Sequence, residues 1–189
     1  MAYRSGTYVA FAADGNIDFT KSDIKYYNLL KGWNSMKNRD FKFVNPHLSG
    51  TMIRAGSKEE TIKRTLRQRL DNSKRFILLV GNTTRFDTDF VPYEIKYAID
   101  VCKLPVIICY VNQKKRITLP LSTSLTNLLP TVLIERINNG TAKTLHLPFR
   151  ERIINYAIKD VDYKNPPTYI ITLYTNNLYD LLYPLSGDI

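Results

Sequence analysis

Two nearly unbroken apolar stretches, KRFILLVG at 74–81 and PVIICYV at 105–111, constrain this chain most. Near-continuous apolar runs of that length read as strands covered on both faces, the pattern of a central parallel sheet. Between them, residues 89–103 carry Val91, Ile95, Ala98, Ile99 and Cys102, the apolar stripe of a surface helix. The alternation extends both ways. TYVAF at 7–11 reads as a first strand that stops at the loop-forming AADGN, and DFKFV at 40–44 reads as a second. Residues 22–36 space Ile24, Tyr27, Leu30 and Trp33 as a helix, and Ser57 and Glu60 form a capping box for a helix to about residue 70. Residues 144–147 read as a fifth strand and 150–159 as a helix. One helix is expected between 112 and 140, at either 124–129 or 131–137.

The expectation is an α/β, flavodoxin-like, doubly wound sheet with helices on both faces. Its five parallel strands fall near 8–11, 41–44, 75–80, 106–110 and 144–147, in the order 2-1-3-4-5. Ligands of such sheets bind at the carboxyl ends of the strands. The loops of interest are therefore 12–21, 45–56 and 82–89. The chain divides into a domain over 1–160 and a C-terminal extension over 161–189. The extension holds Pro166, Pro167 and five of the thirteen tyrosines, and residues 168–175 offer an edge strand. It is read as a tail across the sheet edge, or as a partner or substrate surface.

The 189 residues make one ordinary domain, and no apolar run approaches the ~18 residues of a membrane span. The first residues lack the apolar stretch and cleavage site of a signal peptide, so a cytoplasmic protein with two reduced thiols, Cys102 and Cys109, is expected. The net charge of +10 suits an anionic partner without choosing one. Half of it lies between Arg54 and Arg75, where eight basic residues face only Glu59, Glu60 and Asp71.

Several chemistries find no support in the residues. There is no GxGxxG or GxSxG, and the GSK at 56–58 lacks phosphate-loop spacing. The two histidines have no carboxylate at metal-ligand spacing, so no metal site is expected, and His146 in TLHLPF reads as structural.

Residues 67–100 carry the informative pattern: a helix ending in LDNS, a buried strand, a polar loop, then FVPYEI, with Phe90 four residues before Glu94. This resembles the TIR-like family, most closely the bacterial TIR-like proteins of the Thoeris antiphage-defence type. That family has W-x-x-x-E at this place, so Phe90 stands for Trp. The family's first-strand motif matches at Phe11, with Asp14 or Asp18 supplying the acid, while Ala12 and Ala13 stand where Ser is expected. Residues 45–56 correspond to the family's mobile loop, and the resemblance covers roughly 7–160.

The resemblance implies a TIR-like fold and cleavage of the nicotinamide–ribose bond of NAD, which is substrate rather than cofactor. It further implies an ADP-ribose-derived product, cyclic or conjugated, that activates a separate effector, with a phage-derived trigger as a further partner. Glu94 would be catalytic, with Phe90, Phe11, Asp14, Asp18, Asn82 and His47 as substrate contacts. The basic helix has two readings: Arg54, Lys58 and Lys63 help hold the pyrophosphate, or the charged face is merely solvated, as read for Arg64 and Arg67. The chemistry suits one carboxylate. Nicotinamide leaves as a neutral molecule and needs no acid, whereas the oxocarbenium-like ribose needs a negative charge. Phe90 and Glu94, four apart, share a helix face. The same reading makes Glu94 a partly exposed first-turn residue, in a cleft beside the loops after Phe11 and Val44. Three other readings stay open: a non-catalytic TIR-type interaction module, a nucleoside deoxyribosyltransferase-like enzyme, and a nucleic-acid binder, for which no recognition motif is present.

Overall fold

Every residue of the two long apolar runs that lies in a strand is covered, apart from a half-buried Lys74 at the rim. Strand β3 (Ser73–Val80) and strand β4 (Val106–Tyr110) form the centre of the sheet in the computed structural model, which describes residues 4–12, 23–36, 43–44, 59–88 and 90–184. Strand β1 (Gly6–Ala10) pairs with β3, and the short β2 (Phe43–Val44) pairs with β1. Strand β5 (Thr144–Pro148) follows β4. A sixth strand, β6 (Ile171–Thr172), closes that edge. All pairings are parallel, in the order β2-β1-β3-β4-β5-β6. The expected 2-1-3-4-5 sheet is therefore present, extended by one strand from the C-terminal segment.

Side chains alternate across this sheet with the period of two that strands impose. Tyr8, Phe76, Leu78, Val106 and Ile108 point to one layer. That layer is completed by α2 (Glu59–Asp71), α3 (Phe90–Lys96) and α5 (Thr131–Asn138). Val9, Phe11, Ile77, Leu79, Ile107 and Cys109 point to the other. There they meet α1 (Ile24–Met36), α6 (Glu151–Asp160) and α7 (Asn176–Leu182).

Two details differ from the sequence reading. The helix expected over 89–103 is α-helical only to Lys96. It then widens to a π turn over Tyr97–Val101, closed by Cys102 N–H donating to Tyr97 O at 3.0 Å, and it stops at Lys103 with φ of 54°. The widened turn keeps Ala98, Ile99 and Cys102 buried, so the apolar stripe alone does not reveal it. Between 112 and 140 both candidate helices form: α4 (Thr123–Thr126), capped by the Ser122 side chain, and α5 after Pro130. The capping box at Ser57 and the first half of the second strand lie outside the described residues.

The C-terminal segment is tied in by polar groups. The Arg75 guanidinium, 2% exposed, donates to Val161 O and to Thr7 Oγ1 (2.8 Å), with Asp162 at 4.0 Å. Tyr163 N–H donates to Lys74 O at 2.9 Å. The Tyr183 hydroxyl accepts from Ile153 N–H at 3.1 Å, covering the first turn of α6. His146 joins three strands. The Thr144 hydroxyl donates to Ile170 O (2.7 Å), so it accepts from His146 Nε2 (2.9 Å), and Nδ1 accepts from Tyr110 OH (3.0 Å). The ring is thus neutral with its proton on Nε2, and burial lowers its pKa to about 4.

Candidate functional site

The order 2-1-3 makes the chain turn opposite ways after β1 and β3, which opens a crevice at the carboxyl ends of those strands. Their described rim is closely packed. Gly81 follows β3 and lies against Asp23 at the start of α1, and a Cβ there would lie 2.4 Å from the Asp23 carboxylate, so a larger residue would require that side chain to shift. Thr84 Oγ1 accepts from Gly81 N–H at 2.8 Å and donates to Asp23 at 3.3 Å. Asn82 is exposed, and its Oδ1 accepts from Asn112 Nδ2 at 3.1 Å; Asn112 in turn accepts from Tyr26 OH at 3.2 Å. These bonds hold the β3–α3 loop to α1 and to the end of β4.

Helix α3 then begins at Phe90, with Pro92 in its first turn, where no amide partner is lost. Asp87 Oδ1 accepts from Val91 N–H at 3.3 Å. One turn on, Glu94 points into the sheet. It is 1% exposed, not the partly exposed residue that its sequence position suggests, because the face of α3 that carries it is the face packed on β1 and β3. Its Oε1 accepts a 2.7 Å hydrogen bond from Tyr8 OH of β1. Its Oε2 is buried and has no hydrogen-bond partner among the described residues. Burial raises the Glu94 pKa to about 8; the Tyr8 hydrogen bond works against this and the Asp87 charge adds to it. Burial, then the Glu94 charge, pushes the Tyr8 hydroxyl well above its usual value. A buried acid with one oxygen held and the other without a partner among the described residues is the kind of group that active sites keep and stable cores avoid.

Phe90 is half-buried on the same core layer as Glu94. Tyr93, next to Glu94, accepts from Arg67 at 3.2 Å and lies under Lys63 Nζ, 5.2 Å from the ring centre. Lys63 also pairs with Glu59, and Arg67 with Glu60, so these cations of α2 are held by partners. Phe11 points to the opposite layer, buried and stacked on Tyr27 at 5.5 Å. Asp14, Asp18, His47, Arg54 and Lys58 lie outside the described residues. The structure therefore brings Glu94 and Phe90 together, puts Asn82 on the strand-end rim, and separates Phe11 from them. Tyr8 and Asp87 are additions the sequence reading missed. The one available signal for Tyr8 was a phenol within an otherwise apolar strand that alternates inward.

A pocket of about 310 Å³ lies elsewhere, lined by Trp33, Phe149, Arg150, Glu151, Arg152 and Tyr183 on the α1/α6 side of the sheet. Trp33, Phe149 and Tyr183 belong to the layer opposite Glu94. Among the described residues no group of three or more His, Cys, Asp or Glu is placed to hold a metal ion, and no helix is long and apolar enough to cross a membrane. Both cysteines are free and buried, and burial pushes the Cys102 thiol up to about 12.

A family model described as the TIR-like domain of the Thoeris protein ThsB matches residues 8–116, more than half of the chain. The chain belongs to the ThsB TIR-like family. The matched span opens at Tyr8 and contains Phe90, Glu94 and the strand-end rim, so the whole described cluster lies inside the ThsB-like region. Helix α5, strand β5, helix α6 and the C-terminal segment lie beyond it. Membership makes this a Thoeris defence TIR protein, with partners to be sought in a defence system.

Proposed function

We propose that this ThsB-type domain cleaves the nicotinamide–ribose bond of NAD and passes the ADP-ribosyl group into a cyclic or conjugated signalling molecule. That product would activate a separate effector in antiphage defence, with a phage-derived trigger releasing the activity. The observation that carries the reading is Glu94, a buried carboxyl with one oxygen tied to Tyr8 and the other without a partner among the described residues.

The chemistry follows from charge. With its pKa near 8, Glu94 is mostly neutral at pH 7 in the free protein. A cationic nicotinamide ring brought beside it favours the ionised form. As the glycosidic bond breaks, positive charge moves from the ring to the ribose, and a carboxylate in a dry site is worth far more to that charge than water is. Phe90 offers a ring face on the same side of α3 for the base to stack on. Asn82 contributes from the rim, and Asp14, Asp18 and His47 from the loops after β1 and β2.

Incubating the protein with NAD and separating the products tests the reading. Free nicotinamide and one ADP-ribose-derived product are expected. Phe90→Trp keeps the activity, whereas Phe90→Ala raises KM more than it lowers kcat. Absence of nicotinamide, both from pure protein and after addition of phage-infected cell extract, would favour a non-catalytic interaction module.

A further inference from the structure

Tyr8 and Glu94 are 86 residues apart, on different elements, yet their side chains meet at 2.7 Å in a site closed to solvent. The ring of Tyr8 is held by stacking on Phe76, centroids 5.7 Å apart at 15°, so its hydroxyl has little freedom to leave Glu94. A phenol donates one proton, and here it is spent on Oε1. The other oxygen, Oε2, is the one without a partner among the described residues. The two oxygens of one carboxylate are thereby made unequal.

We propose that Tyr8 is a positioning residue for Glu94, fixing Oε1 so that Oε2 is the oxygen presented to the ribosyl centre. The proposal rests on the reading of Glu94 as catalytic. The bond also favours the carboxylate over the acid, because a donated hydrogen bond stabilises the charged form. The charged or titratable groups that bear on the pair are Asp87 from the loop before α3, Tyr93 on α3 and Arg69 from α2. From β3 the neighbour is Phe76, which carries no charge. Among the described residues the Tyr8 hydroxyl draws the Glu94 pKa down, against burial and Asp87.

Tyr8→Phe keeps the ring and its stacking and removes the hydroxyl alone. Two readouts on the full chain separate positioning from mere packing. The first is the titration of the Glu94 carboxyl by carbon NMR, its signal assigned by loss in Glu94→Gln. Losing a hydrogen bond to a charged group shifts such a titration by roughly one to two units, here upward. The second is nicotinamide release against pH. The acid limb of kcat/KM in Tyr8→Phe is expected to move up by the same amount, so the rate at pH 7 falls roughly ten- to a hundredfold and recovers in alkaline buffer. A difluorotyrosine at position 8, a better donor of the same shape, is expected to move both readouts the other way, and it serves if Tyr8→Phe folds poorly. An unchanged Glu94 titration would overturn the positioning role even in an active enzyme. So would a loss of rate equal at every pH. A shifted titration in a protein that releases no nicotinamide would instead overturn the proposed reaction, and with it the positioning role.

Discussion

Glu94 is a cost to this fold, and the sign of that cost is testable. Its pKa in the folded chain is about 8, against an ordinary value of 4.5. A raised carboxyl pKa means that the folded state binds the extra proton between those two values. Its contribution to stability is complete below about pH 4.5 and is lost as pH rises through 8. Glu94→Gln has no proton to lose, so its stability is expected to be flatter over this range. At pH 9 the variant should be the more stable by on the order of a few kcal/mol. Denaturant unfolding of both proteins at pH 5 and pH 9 checks this. Parallel curves would mean that the carboxyl is solvated and outside the closed site described above. The sequence position alone suggests a small favourable contribution from Glu94, through the helix dipole. The difference arises because α3 turns the Glu94 face inward against β1, a fact of packing between elements 86 residues apart.

At the scale of elements, the three C-terminal strands share one polar chain through His146. Its pKa is about 4 in the fold, below the ordinary 6.5. A depressed histidine supports the fold above pH 6.5, and that support is lost as pH falls towards 4, where the unfolded chain alone binds the proton. His146→Leu leaves the Tyr110 hydroxyl buried without its acceptor, so a loss of ~1–3 kcal/mol is expected at pH 7. The gap between variant and wild type should narrow between pH 6.5 and pH 4, and thermal melts across that range measure it. A gap constant with pH would show that the imidazole is not kept neutral by the fold. Much of the element order was legible beforehand: residues 74–81 and 105–111 can be only buried strands, since each presents apolar side chains to both faces. What periodicity missed was local hydrogen bonding that leaves the stripe intact. The π turn at Tyr97–Val101 is one case and the Ser122 cap on α4 is another.

For the whole molecule, the sheet brings the matched ThsB-like region and the C-terminal segment into one polar framework. Arg75 on β3 reaches both Thr7 on β1 and Val161 after α6, so the strand that leads to the Glu94 loop is also anchored to the extension. Glu94 and Phe90 were legible in the sequence because FVPYEI is a local pattern carried on one helix face. Tyr8 was not, because a contact between β1 and α3 leaves no local trace. Phe11 was read as a substrate contact from its match to the family's first-strand motif. The alternation of the strand sends its side chain into the layer opposite Glu94. The central claim is that Glu94 supplies the negative charge that breaks the nicotinamide–ribose bond. Its most direct test is the rate of nicotinamide release from NAD by wild type and Glu94→Gln, compared at the same folded fraction. Glu94→Gln keeps the shape of the side chain, and a loss on the order of 100-fold or more in kcat is expected; equal rates would contradict the claim.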